Sequence, residues 1–119
     1  MKPLAWIGST RGALLTFPED VVREIGYALY LAQIGDKHPA AKPLKGFGGS
    51  GVLEIVERFD GDTYRAVYTV RFAEVVYVLH AFQKKARHGI STSQQDMGLI
   101  RNRLKQAETE HQAWLRRSP

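Results

Sequence analysis

The segment from residue 52 to residue 83 constrains the fold most, because it holds three apolar runs separated by turn residues. Val52 to Phe59 and Thr63 to Arg71 flank the sequence Asp60-Gly61-Asp62, and Asp-Gly between apolar runs is a strong signal for a hairpin. A second short turn leads into the third run, Val75 to Gln83. We therefore predict an antiparallel meander of three strands.

Helical patterns flank this meander on both sides. Residues 18–35 begin with a proline and two acidic residues and end at Gly35, which predicts an amphipathic helix. Residues 92–115 carry a second apolar stripe, and Thr92 with Gln95 resembles a capping box. Leu4 to Gly8 reads as an additional strand. The expected fold class is α+β, with an antiparallel sheet of this strand and the meander packed against the two helices.

The chain length supports one domain over residues 1–119, because a chain of this size buries a single core. Seventeen basic and 12 acidic residues give a net charge of +5, and the excess lies entirely beyond residue 35. A polyanion is therefore the expected partner of that later part. Without cysteine, a signal peptide or a long apolar run, we expect a soluble cytoplasmic protein with no membrane contact.

Alternation along the middle strand places Arg65, Val67 and Thr69 on its more polar side. We expect Arg65 to face solvent there. In the neighbouring strands two further sets share a side, but the sequence leaves the register between strands open. These sets are Glu54, Val56 and Arg58 in the first strand, and Val76, Val78, His80, Phe82 and Lys84 in the third.

Residues 36–51 are rich in glycine, proline and lysine, which predicts a mobile loop. The loop is not a Walker motif, because no Gly-Lys-Ser/Thr opens a helix. Lys42 and Lys45 could contact RNA, or they could belong to a plain surface loop. In the same way, Lys84 and Lys85 follow an apolar strand and could simply solubilise its end.

The order of elements and several motifs resemble the RelE/ParE toxin superfamily, and within it the phage-derived, HigB-like host-killing toxins. The resemblance covers nearly the whole chain. Its most specific motifs are Tyr64-Arg65-Ala66-Val67-Tyr68, the run from His80 to Lys85, and Ile90-Ser91-Thr92 before a helix with Arg101 and Arg103. One departure is Val56, where the family often has arginine.

The resemblance implies a ribosome-dependent endoribonuclease that cleaves mRNA and inhibits translation and growth. It also implies a cognate antitoxin of the helix-turn-helix type, encoded by the adjacent gene, as the protein partner. No metal or other cofactor is expected. Histidines outside the third strand, His38, His88 and His111, are too scattered to form a metal site.

Cleavage of RNA by its own 2′-hydroxyl needs a base, cations that stabilise the phosphorane and an acid for the leaving oxygen. Arginine, lysine and histidine supply these functions, and tyrosine rings can stack on bases. The predicted catalytic residues are Arg65, Lys84, Lys85 and His88. The predicted RNA-binding residues are Lys42, Lys45, Arg58, Tyr68 and Arg87. His80, inside an apolar strand, is more simply a structural residue.

A rival interpretation is a toxin or phage-derived regulator without catalysis, which binds a protein target such as gyrase. The same basic residues would then grip that target. Clustered acid and base candidates between Lys84 and His88 favour the nuclease, because a binding protein does not need them.

Overall fold

The computed structural model describes residues 1–49, 51–84 and 92–117. Among these residues, no helix is long and apolar enough to cross a membrane. The described elements, in chain order, are β1 (Leu4–Trp6), α1 (Thr10–Leu15), α2 (Glu19–Gln33), β2 (Lys42–Pro43), β3 (Val52–Phe59), β4 (Asp62–Thr69), β5 (Val76–Lys84) and α3 (Gln94–Arg117).

The five strands form one sheet in the order β1-β5-β4-β3-β2. The predicted meander is confirmed, since β3, β4 and β5 pair antiparallel. Asp60 and Gly61 form the two-residue turn between β3 and β4, and both have positive φ angles, 51° and 84°. The predicted α+β class is also confirmed. β1, however, pairs in parallel with β5, so the sheet is mixed.

The helix α1 occupies residues that the sequence predicted as a turn. Thr10 is fully buried, and its hydroxyl donates to the backbone carbonyl of Val78, 3.4 Å away. This contact with a distant strand anchors the segment, which explains why local turn residues did not decide its conformation.

The predicted loop 36–51 is partly tied to the sheet. β2 pairs antiparallel with β3 and forms its outermost strand. Ala41 and Leu44, on either side of β2, are buried, and the His38 ring lies 2.6 Å from a Glu24 oxygen of α2. Two short apolar anchors and one ion pair therefore hold a segment whose composition had predicted mobility.

The helices α2 and α3 cover opposite faces of the sheet. On the α2 face, Ile25, Ala28 and Leu29 pack against strand residues such as Ile55 and Tyr68. The pattern of apolar residues three and four apart explains this contact, because it gives α2 one continuous apolar stripe.

On the α3 face, Ile100, Leu104 and Ala107 pack against the sheet, with Val67 and Leu79 among their partners. The cap of α3 lies one residue later than predicted. The hydroxyl of Ser93, not Thr92, accepts the backbone N–H of Asp96, at 3.1 Å. A hydroxyl that accepts this hydrogen bond satisfies one of the free donors of the first turn.

Candidate nucleic-acid interface

Three rows of paired residues cross β3, β4 and β5 on the α3 face. Because directly paired residues share a face of the sheet, each row collects side chains on one side. The rows are Glu54–Val67–His80, Val56–Arg65–Phe82 and Arg58–Thr63–Lys84. Lys42 of β2 pairs with Glu54 and extends the first row. We call Lys42, Arg58, Arg65 and Lys84 the cationic sheet face.

A β-bulge at Val67/Tyr68 decides which side chains of β5 join this face. Val76 and Val78 pack on the α2 face, whereas His80 and Phe82 stack on each other on the α3 face, with ring centres 4.3 Å apart. Simple alternation had grouped all of these residues with Lys84. The extra residue of a bulge shifts the alternation by one, which explains why that grouping is wrong.

Arg65 is buried rather than exposed, so the expectation of a solvent-facing side chain is wrong. Its residue exposure is 5%, and its Nη1 lies 3.2 Å from Oε2 of Glu54. The Glu54 side chain is itself only 17% exposed. An arginine in this position supplies a fixed charge beneath the surface, and its carboxylate partner offsets part of that charge.

Lys84 belongs to a network at the first turn of α3. Its Nζ lies 3.1 Å from Oδ2 of Asp96 and 5.8 Å from the centre of the Phe82 ring. The other oxygen of Asp96 lies 2.9 Å from Nε2 of His80. Ser93 also donates its hydroxyl to Asp96, at 2.7 Å. Asp96 therefore connects the end of β5 to the beginning of α3.

The protonation of His80 follows from its two neighbours. Nε2 faces the acceptor Asp96, while Nη1 of Arg103, a donor, lies 3.4 Å from Nδ1. A neutral ring with its proton on Nε2 satisfies both contacts. Burial lowers the pKa of His80, and the nearby Arg103 and Lys84 charges lower it further against the opposing effect of Asp96. His80 is therefore a positioning residue with no free lone pair for a substrate.

The carboxyl group of Asp96 stays ionised over a wide pH range. Burial alone raises its pKa, but hydrogen bonds from His80, Ser93 and Lys84 outweigh burial and lower the pKa below its ordinary value. The negative charge also lies in the first turn of α3, where it opposes the positive end of the helix dipole.

The other predicted RNA contacts divide into two groups. Lys42 and Arg58 are exposed and line the same open groove of about 260 Å³, together with Glu54 and Val56. Lys45 is exposed in the turn after β2 and does not line this groove. Arg58 lies two residues beyond Val56 on the same face, about 7 Å along the strand. The groove thus has an arginine despite the departure at Val56.

Tyr68 cannot serve as the predicted stacking platform in this structure. It has no exposed surface and packs in the core between the sheet and α2. Burial raises its pKa to about 12. Stacking on a base requires an exposed ring face, so Tyr68 is a core residue. Lys85, Arg87 and His88 lie outside the described residues.

Residues 13–105 match the family described as phage-derived protein Gp49-like (DUF891). The chain belongs to this family. The match begins within α1 and runs through α2 and the meander into α3, so it spans every element that builds the cationic sheet face. The Gp49-like family is of a RelE-like, toxin-like type. No curated protein matches the chain.

Two acidic residues of this Gp49-like chain were missed by the sequence interpretation. Glu54 had been assigned to a strand face but given no partner, and Asp96 had been given no role. The spacing of Ser93 and Asp96 is itself a capping-box signal and could have identified Asp96. No comparable local signal links Glu54 to Arg65, because their contact depends on the register of β3 and β4.

Proposed function

We propose that this protein is the toxin of a type II toxin-antitoxin system, of the HigB-like branch, and that it cleaves mRNA on the ribosome. The observation that carries the proposal is the cationic sheet face, which gathers Lys42, Arg58, Arg65 and Lys84 from four strands onto one side of the sheet. Membership of a phage-derived, toxin-like family supports the same function.

The proposed substrate lies across the end of the sheet that α3 leaves uncovered. Lys42 and Arg58 would bind backbone phosphates in the groove, since both are exposed there. Lys84 would stabilise the negative charge that develops on the scissile phosphate, with Arg65 as a fixed charge beside it. Asp96 would hold the ammonium group of Lys84 in place, as its 3.1 Å contact suggests. Lys85 and His88 stay in the proposed catalytic set, with Arg87 as an RNA contact.

The proposed protein partner is an antitoxin encoded by the adjacent gene. An acidic surface on that partner would complement the cationic sheet face and exclude RNA from it. Coexpression tests this part separately: the neighbouring gene product should copurify with the chain and relieve growth arrest.

The test of catalysis is induced expression in a bacterial host, with growth and the 5′ ends of ribosome-bound mRNA as readouts. Lys84→Ala should slow cleavage a hundredfold or more, the cost expected for one preorganised charge at the transition state. Lys37→Ala is the matched control, because Lys37 is an exposed lysine outside the cationic sheet face. Thermal unfolding of each purified variant establishes that it is folded.

The outcomes separate the nuclease from the rival binding toxin. Cleavage that persists at the wild-type rate in a folded Lys84→Ala variant contradicts the proposed role of Lys84. Growth arrest with intact mRNA contradicts the nuclease altogether and favours a toxin that acts by binding a protein target such as gyrase.

A further inference from the structure

The helix α2 has apolar residues on two opposite sides, although only one of them faces the core. The residues that turn away from the sheet include Tyr27, Tyr30 and Ile34, which are 50%, 46% and 49% exposed. A surface helix normally carries polar residues on its outer side. The inner side is already complete, with Val21, Ile25, Ala28, Leu29 and Ala32 buried.

The three exposed residues form one stripe along the helix. Their spacing of three and then four residues places them on the same side, one above the other. At 100° per residue, this stripe lies roughly opposite the buried side of α2. We call Tyr27, Tyr30 and Ile34 the outer stripe. Gly26 flanks it, and no other atom lies within 4 Å of the position that a Cβ would take there, so a second helix can approach closely.

The charges at the two ends of α2 have opposite signs. Asp20 lies in the first turn, its side chain 72% exposed, and Lys37 is exposed just beyond the C-terminal end. Asp20 and Lys37 are equally far along the chain from the midpoint between Tyr27 and Tyr30. A second copy of α2, turned end to end about that midpoint, would therefore place each Asp20 near the Lys37 of the other copy.

We propose that the outer stripe of α2 is a homodimer interface, in which two copies of the chain pack antiparallel about a two-fold axis. Tyr27 of each protomer then packs against Tyr30 of its partner, and the two-fold axis produces every contact twice. The macrodipoles of the two helices also run in opposite directions, which is the favourable arrangement.

This arrangement leaves the cationic sheet face open in both protomers. α2 and the cationic sheet face lie on opposite sides of the sheet, so the dimer carries its two cationic faces outward. The contact is small, because it uses one stripe of a 15-residue helix from each protomer. We therefore expect a reversible dimer that dissociates on dilution. The dimer does not depend on the proposed nuclease activity.

Sedimentation equilibrium of the full chain over a range of concentrations tests the dimer. The wild-type chain should shift from monomer to dimer as its concentration rises. Tyr30→Glu should weaken association at least a hundredfold, because it places two charges in an apolar contact. The matched control is Leu15→Glu, which introduces the same charge at a residue of α1 that is 56% exposed. This control should associate like the wild type, and circular dichroism should show both variants folded.

Charge exchange tests the antiparallel direction. Asp20→Lys and Lys37→Asp should each weaken association several-fold, since like charges then face each other across the axis. The double variant Asp20→Lys/Lys37→Asp should regain wild-type association, because the pair is restored with its signs reversed. A monomer at all concentrations, a dimer that is indifferent to Tyr30→Glu, or single exchanges that the double variant does not rescue would each overturn the proposal.

Discussion

The two faces of the sheet are built differently, although they share the same strands. The α2 face is apolar along its length, from the partly buried Trp6 on β1 to the fully buried Ile55 on β3. The α3 face is apolar only where Ile100 and Leu104 cover it. Beyond the first turn of α3, the same face carries Arg58, Arg65, Lys84 and their acidic partners. A sheet face thus becomes available for binding where its covering helix begins.

The two faces also derive their stability from different interactions. Close packing of apolar side chains holds the α2 face, and its cost of disruption grows with the volume removed. On the exposed part of the α3 face, buried charges are held by opposite charges, as in Arg65–Glu54. Such a pair is costly to break and cheap to replace as a whole. Substitutions on the two faces should therefore behave differently.

The largest expected effect is on the polar part of the α3 face. Arg65→Ala should lower the free energy of unfolding by about 3–5 kcal/mol, because it leaves the Glu54 carboxylate without its buried partner. Urea denaturation of the purified variant measures this loss.

The control is the double variant Arg65→Met/Glu54→Leu, in which both charges are replaced by apolar side chains. Its stability should stay close to that of the wild type. If Arg65→Ala is as stable as the wild type, the pair contributes nothing and the contrast between the two faces fails at this point.

On the α2 face the expected effect is smaller and has the opposite sign. The hydroxyl of Tyr68 is buried and has no hydrogen-bond partner among the described residues. Tyr68→Phe should therefore raise the free energy of unfolding, by about 1 kcal/mol, because it removes an unsatisfied polar atom. Thermal unfolding measures the gain. Tyr77→Phe is the matched control and should be destabilising, because the Tyr77 hydroxyl contacts Nδ1 of His111 at 3.0 Å.

A third prediction concerns the binding of single-stranded RNA by the groove. Lys42→Ala should reduce the slope of log K against log salt concentration by about one unit, the value expected for one lost phosphate contact. Between 50 and 200 mM salt this corresponds to roughly a threefold difference in affinity loss. Filter binding at several salt concentrations measures the slope. An unchanged slope would assign Lys42 to a plain surface segment, and Lys37→Ala supplies the baseline.

The smallest expected effect is the pH dependence contributed by His80. Its pKa in the folded protein is lowered, mainly by burial, whereas in the unfolded chain it is about 6.5. The unfolded state therefore takes up a proton first, and stability is lost as the pH falls below about 6.5. The lowered pKa of Asp96 adds a further loss in more acidic solution, as that carboxylate is protonated.

The free energy of unfolding should accordingly decline less between pH 6.5 and 5 in His80→Gln than in the wild type. Urea titrations at several pH values measure both slopes. His38 and His111 are unchanged in the variant, so they contribute equally to both proteins. Identical slopes would show that His80 does not titrate differently on folding.

Local sequence patterns predicted most of the secondary structure. Asp60-Gly61 produced the expected hairpin because its residues readily adopt positive φ angles. The apolar spacing of α2 and α3 predicted both helices to within two residues of their ends. The cap of α3 was displaced by only one residue, to Ser93. Each of these features depends on residues that are close together along the chain.

The candidate site was only partly predictable. The sequence identified Lys42, Arg58, Arg65 and Lys84 by residue type, and the structure places them on one face. It did not identify Glu54 and Asp96 as their partners, since these contacts join residues that are 11 and 12 positions apart or more. It also misjudged Tyr68, because a tyrosine in an alternating strand has the same local pattern whether a helix covers that side or not.

The sequence by itself determined the elements of this protein, its charge and the residue types available for a phosphate site. Only the tertiary structure decided the parallel pairing of β1, the burial of Arg65 and the bulge that turns His80 and Lys84 toward α3. The physical reason is that a strand exposes the same alternating pattern to either face. Which face is buried depends on pairing register and on the helix that packs there, and both are set by contacts between distant parts of the chain.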